Sequence, residues 1–97
     1  MAKIWIIDDE ESIRTICTSA LEDLFTVESF ANASEALLEL NSAQPDLIIT
    51  DIKMPGMSGL EFLNKVSDKF PEIPTIIITA PVSYTHLRAH ETKEYLV

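Results

Sequence analysis

The stretch Leu47-Ile48-Ile49-Thr50-Asp51 most constrains what this chain can fold into. It is a short apolar run that ends abruptly in a carboxylate. A run this apolar, with adjacent isoleucines, reads as a strand buried on both faces, as in a parallel sheet. The next residues, Lys53-Met54-Pro55-Gly56-Met57-Ser58-Gly59, hold both glycines of the chain and a proline, so the strand stops there and a loop begins. Asp51 then sits at the carboxyl end of a buried parallel strand, the edge at which open α/β sheets bind ligands. A second reading stays open at this point, in which Asp51 only caps the loop.

A second stretch has the same form. Ile4-Trp5-Ile6-Ile7 is another apolar run, and it ends in Asp8-Asp9-Glu10-Glu11. If the two strands are neighbours, Asp8, Asp9 and Asp51 converge. Three carboxylates close together repel, and each has a raised pKa unless a cation shares the site. Oxygen-only ligands without Cys or His suit a hard divalent ion such as Mg²⁺. Glu10 and Glu11 also favour a helix N-terminus, but that does not account for both strand ends.

The rest of the chain alternates. Lys3–Ile7 is the first strand. From about Glu11 to Leu24, apolar residues at Ile13, Ile16, Cys17, Ala20, Leu21 and Leu24 follow the spacing of one helix face. Arg14, Glu22 and Asp23 fall off that stripe and are expected in solvent, while Cys17 falls on it as a small core residue. Thr26–Phe30 reads as an outer strand. Asn32 or Ser34 can cap a second helix over about Ser34–Asn41 that turns Ala36, Leu37 and Leu40 inward. Pro45 precedes the central strand, Asp46–Asp51. A third helix spans about Leu60–Lys69, and Thr75–Thr79 is a fourth strand. Repeated βαβ units imply a parallel sheet with right-handed crossovers.

Ile6-Ile7-Asp8-Asp9-Glu10, then Asp51 with Lys53-Met54-Pro55-Gly56-Met57-Ser58-Gly59, then Ile76-Ile77-Ile78-Thr79-Ala80 resemble, in order and spacing, the receiver domain of two-component response regulators. The opening Lys3-Ile4-Trp5-Ile6-Ile7-Asp8-Asp9-Glu10 looks most like nitrogen-regulator (NtrC-type) receivers. The resemblance covers roughly residues 3–80. It implies a flavodoxin-like, doubly wound parallel sheet of strand order 2-1-3-4-5, in which strands one and three are neighbours. It also implies that Asp51 is the phosphoacceptor, taking a phosphoryl group from a sensor histidine kinase. Mg²⁺ would be held directly by Asp9 and Asp51, through water by Asp8, and by the Lys53 carbonyl. Thr79 would hydrogen-bond a phosphoryl oxygen and act as the switch, and the small Ala80 would leave room for the group. Such a domain is a phosphoacceptor that assists its own phosphorylation and dephosphorylation rather than an enzyme acting on other substrates.

The sequence departs from the family after Thr79. A complete receiver continues through a fourth helix, a fifth strand and a fifth helix, and its fifth strand ends in a lysine that contacts the phosphoryl group. Nothing after Thr79 resembles this, so the sheet is expected to be incomplete, with strands one to four of five, and phosphorylation to be impaired. Residues 1–80 carry the whole net charge of −9, and Pro81–Val97 is neutral and holds both histidines and both tyrosines. Val82-Ser83-Tyr84-Thr85-His86-Leu87-Arg88-Ala89-His90-Glu91-Thr92 resembles the translation of a sequencing-library adaptor. The expected division is therefore a partial receiver at 1–80 and a non-native tail at 81–97. Two other readings of the tail are a metal pair, His86 and His90 at i, i+4 spacing, and a native amphipathic helix.

Two functional alternatives stand beside the phosphoacceptor. One is a receiver-like interaction module that works without phosphorylation. The other is a Mg²⁺-dependent phosphatase of the haloacid-dehalogenase type, which expects an aspartate two residues after its nucleophile, where this chain has Lys53. Ninety-seven residues allow one small domain. The charge of −9 argues against direct nucleic-acid binding, which needs a basic surface. A single cysteine, Cys17, leaves no internal disulfide. No apolar run approaches the roughly 20 residues that span a bilayer, and no signal peptide is recognised, so the expected location is cytoplasmic, away from membranes. An output domain is expected to lie outside this sequence.

Overall fold

Among the described residues, alternation of apolar runs with amphipathic stretches builds four strands and three helices. The computed structural model describes residues 1–78. In chain order they form β1 (Lys3–Ile7), α1 (Glu11–Leu21), β2 (Thr26–Phe30), α2 (Ala33–Leu40), β3 (Leu47–Asp51), α3 (Gly59–Lys69) and β4 (Thr75–Ile78). All strand pairs are parallel, in the order β2-β1-β3-β4. This matches the first four positions of the order expected from the sequence. The expectations for Thr79, Ala80 and Pro81–Val97 lie outside the described residues.

The main core lies on one face of the sheet. Trp5, Ile7 and Ile48 meet Ala33, Ala36 and Leu40 of α2, and Phe62 and Val66 of α3. Trp5 is fully buried; its ring sits 4.7 Å from that of Phe30, tilted by 59°. Its indole N–H donates to Glu28 Oε1 at 3.0 Å, so the polar end of this large side chain has a partner. The β1 strand is buried on both faces throughout Ile4–Ile7. The β3 strand is not: Ile48 and Thr50 are buried, while Leu47, Ile49 and Asp51 are half-buried. A continuous apolar run therefore predicted more two-sided cover for β3 than the described structure shows.

Helix boundaries follow their caps. The Asn32 side chain accepts the Glu35 amide at 2.9 Å, so α2 starts at Ala33, one residue before the expected position. Ser58 and Glu61 form a reciprocal capping box, which satisfies two backbone donors at the start of α3. The α1 helix ends three residues early. Leu24, expected on its inner face, lies beyond the helix and is 70% exposed, and Ile16 is 63% exposed. Ile13, Cys17 and Leu21 are half-buried and define the side turned to the protein. Ile16 projects about 100° away from the centre of that arc, given 3.6 residues per turn. Cys17 is accordingly a half-buried thiol rather than a core residue, its pKa pushed up by burial and then by the charge of Asp8.

The contrast along α3 gives a direct test of this packing. Phe62 is fully buried, while Leu60 is half exposed. Phe62→Ala is expected to lower the free energy of unfolding by about 3–5 kcal/mol, and Leu60→Ala by about 0.5 kcal/mol or less. Urea denaturation of the two variants checks this.

Candidate functional site

The pairing of β1 with β3 runs Ile4↔Leu47, Trp5↔Ile48, Ile6↔Ile49, Ile7↔Thr50. The residues that follow, Asp8 and Asp51, are thus level with one another at the carboxyl edge of the sheet. One side-chain oxygen from each of Asp8, Asp9 and Asp51 lies within 4.8 Å of the others. The convergence expected from the two strand ends is therefore present. Asp8 is only 9% exposed, Asp51 is half-buried and Asp9 is open to solvent.

Each inner carboxylate has one oxygen engaged locally. Asp8 Oδ1 accepts the Glu10 amide at 2.9 Å, and Asp51 Oδ1 accepts the Ile52 amide at 2.8 Å. Acceptor positions remain on each for a ligand, because an ionised carboxylate offers about four. Burial raises the Asp51 pKa most, followed by the negative charge of Asp8 and, more weakly, Asp9; the backbone amides of Ile52 and Lys53 oppose the rise. A cation among the three carboxylates would reverse the repulsive part of this balance.

The loop after β3 is shaped by its glycines. Gly56 has φ +81°, a left-handed conformation that costs other residues energy. Gly59 starts α3 directly against the preceding strand end: its amide donates to the Ile52 carbonyl at 2.9 Å, and a Cβ there would collide with the Asp51 carbonyl oxygen. Met54 is buried in the core cluster and anchors the loop between these points. Lys53 has an exposed side chain, while its backbone amide reaches Asp51. Thr79, the remaining expected site residue, is outside the described residues.

Arg14 was missed by periodicity, which placed it in solvent. It is half-buried, and its Nη1 donates to the Asp8 carbonyl at 2.7 Å. The available signal was its position in the first turns of α1, six residues after Asp8, within reach of a long side chain. A cleft of about 600 Å³ lies between α2 and α3 and is lined by Leu37, Leu38, Met57 and Phe70 among others. None of the three aspartates lines it.

Among the described residues the donors of the site are all oxygens, two carboxylates are partly withdrawn from water, and no thiolate or imidazole takes part. That set fits a hard divalent cation such as Mg²⁺ better than a soft transition metal. What it can do chemically is hold such a cation beside a carboxylate, Asp51.

Comparison with known proteins gives a consistent picture. The family model described as the response regulator receiver domain matches residues 4–93. The DNA-binding transcriptional regulator NtrC of Salmonella typhimurium is 41% identical over 78 residues, which are 79% of this chain and 17% of that protein. The chain thus spans about a sixth of the length of this curated relative. Among solved structures, response regulator protein TrrA from Thermotoga maritima in complex with Mg²⁺-BeF superposes with a TM-score of 0.79 at 34% identity, covering 89% of this chain and 75% of that one. TrrA in complex with histidine kinase ThkA gives a TM-score of 0.78 at 34% identity, covering 92% and 77%. Among the described residues, no helix is long and apolar enough to cross a membrane.

Two outcomes follow from the geometry of the site. The carboxyl group of Asp51 has a raised pKa in the folded state, so folding is favoured when it is protonated and that stability is lost as pH rises through the raised value. Asp51→Asn is therefore expected to raise the melting temperature at pH 7 without divalent cations. The gain should vanish as pH falls below the ordinary value of 3.8; thermal melts across pH 3–8 check this. Gly59→Ala is expected to lower the melting temperature measurably, because the start of α3 must move away from the Asp51 carbonyl, and amide exchange at Ile52 and Gly59 should quicken.

Proposed function

Because the chain belongs to the response regulator receiver domain family, with NtrC among its similar relatives, we propose that Asp51 is its phosphoacceptor and that Asp8, Asp9 and Asp51, with the Lys53 carbonyl, hold Mg²⁺. The observation that carries the proposal is the convergence of three carboxylates at the sheet edge, with Asp51 at the end of β3. The donor is the phosphohistidine of a sensor histidine kinase, a partner class supported by the ThkA–TrrA complex. The Mg²⁺-BeF complex of TrrA supports the choice of cation.

The residues divide the work. Asp51 Oδ1 is held by the Ile52 amide, which leaves Oδ2 to attack phosphorus. A P–O bond to Asp51 forms as the P–N bond of the phosphohistidine breaks, and the electron pair leaves with the imidazole. When bound, Mg²⁺ supplies charge neutralisation for a transition state spread over the phosphoryl oxygens. Asp8 and Asp9 would hold the cation, whose charge would offset theirs. Lys53 contributes its carbonyl, since its side chain lies in the solvent. Thr79 is proposed to hydrogen-bond the transferred group and bias a two-state element.

The unit is proposed to end near residue 80, with 81–97 a foreign tail, although the family match itself runs to residue 93. Sequencing the gene across codon 80 settles that boundary. The proposed setting is the cytoplasm, with a separate output domain acting on transcription, as the name of NtrC suggests for that relative.

The proposal predicts labelling from acetyl phosphate that is weak in this chain, depends on Mg²⁺ and is abolished in Asp51→Asn while the fold persists. Intact-mass measurement after incubation reads the added phosphoryl group. Equal labelling of wild type and Asp51→Asn would place the acceptor elsewhere.

A further inference from the structure

The α1 helix starts without the usual anchors. Its N-cap is Glu10, whose side chain makes no capping hydrogen bond, and none of its residues is fully buried. Two bonds close the junction with β1 instead. The Glu10 amide donates to Asp8 Oδ1 at 2.9 Å, and Arg14 Nη1 donates to the Asp8 carbonyl at 2.7 Å. On the other side, the Asp8 amide donates to the Phe30 carbonyl at 3.1 Å. The main chain at Asp8 is thus held from β2 through its N–H and from α1 through its C=O.

The choice of acceptor matters. A guanidinium paired with a carboxylate makes a strong, often bidentate bond, and would occupy oxygens that a cation needs. Bound to a carbonyl, Arg14 fixes the chain while the oxygens of Asp8, Asp9 and Asp51 stay gathered within 4.8 Å. Like charges at that distance push apart, so the backbone beneath them has to resist.

Resting on the Mg²⁺ reading above, we infer that Arg14 is a positioning residue for the cation site: it pins the β1–α1 turn so that Asp8 and Asp9 face Asp51 before any cation arrives. Groups that orient metal ligands from outside typically change metal affinity by about 10–100-fold when removed. The sign separates this role from a bystander's. A positive charge near the site by itself repels Mg²⁺, so removing a bystander arginine tightens binding, whereas removing a positioning one weakens it.

The test is calorimetric titration of Mg²⁺ into the full chain and its Arg14→Met variant, with Asp51→Asn as control, together with amide exchange at Glu10 in the absence of divalent cations. Arg14→Met is expected to weaken Mg²⁺ binding by about 10–100-fold and to speed exchange of the Glu10 amide. Arg14→Gln, also neutral, carries the same expectations should the methionine variant fail to fold. Unchanged or tighter binding in these variants, or unchanged Glu10 exchange, overturns the inference alone. A wild-type chain that binds no Mg²⁺, or binds it as well after Asp51→Asn, overturns the site reading and the inference with it.

Discussion

The lateral pairing of β1 with β3 is the constraint on which the rest depends. Hydrogen bonds between these parallel strands set Ile7 opposite Thr50, and the next residue on each strand is an aspartate. A slip of one residue would turn the apolar set of β3 to the wrong face, exposing Ile48, which is fully buried against α2 and α3. The apolar core thereby fixes the register, and the register fixes the separation of the carboxylates. Hydrophobic burial, which has no directional preference of its own, ends up positioning charged groups with the accuracy of a hydrogen-bonded ladder.

That arrangement works against the stability of the unliganded fold. Gathering Asp8, Asp9 and Asp51 raises the pKa of Asp51 through burial and repulsion, which is free energy stored in the folded state. The surroundings offset it with short local bonds: the Ile52 and Lys53 amides on Asp51, the Glu10 amide on Asp8 and the Arg14 guanidinium on the Asp8 carbonyl. Held this way, the three carboxylates each keep one oxygen within 4.8 Å of the others. Its neighbour Gly59 shows how little slack there is, since even a methyl group at that position meets the carbonyl of Asp51.

The loop from Ile52 to Ser58 joins this charged edge to the packing of the helices. Met54 inserts into the core cluster, and Met57 packs against it beside Leu37 and Phe70. The capping box of Ser58 and Glu61 fixes where α3 begins. A change in charge at Asp51 is therefore one short loop away from the α2–α3 surface, through residues whose positions are set by apolar contacts.

Local sequence determined the element types, the three aspartates and the parallel class of the sheet, because apolar runs ending in carboxylates and punctuated by Pro and Gly leave few alternatives. The same signals located β1 and β2 to the residue and missed the other described elements by no more than a few positions. Tertiary structure alone decided which part of each amphipathic face found cover. Ile16 and Leu24 match the helical repeat yet stand exposed, because α1 turns an arc centred on Ile13, Cys17 and Leu21 toward the protein and stops at Leu21. It also decided the role of Arg14, which periodicity assigned to solvent. A side chain that spans from α1 to the end of β1 has a partner only once the turn between them is folded, and that geometry is written in no single stretch of the chain.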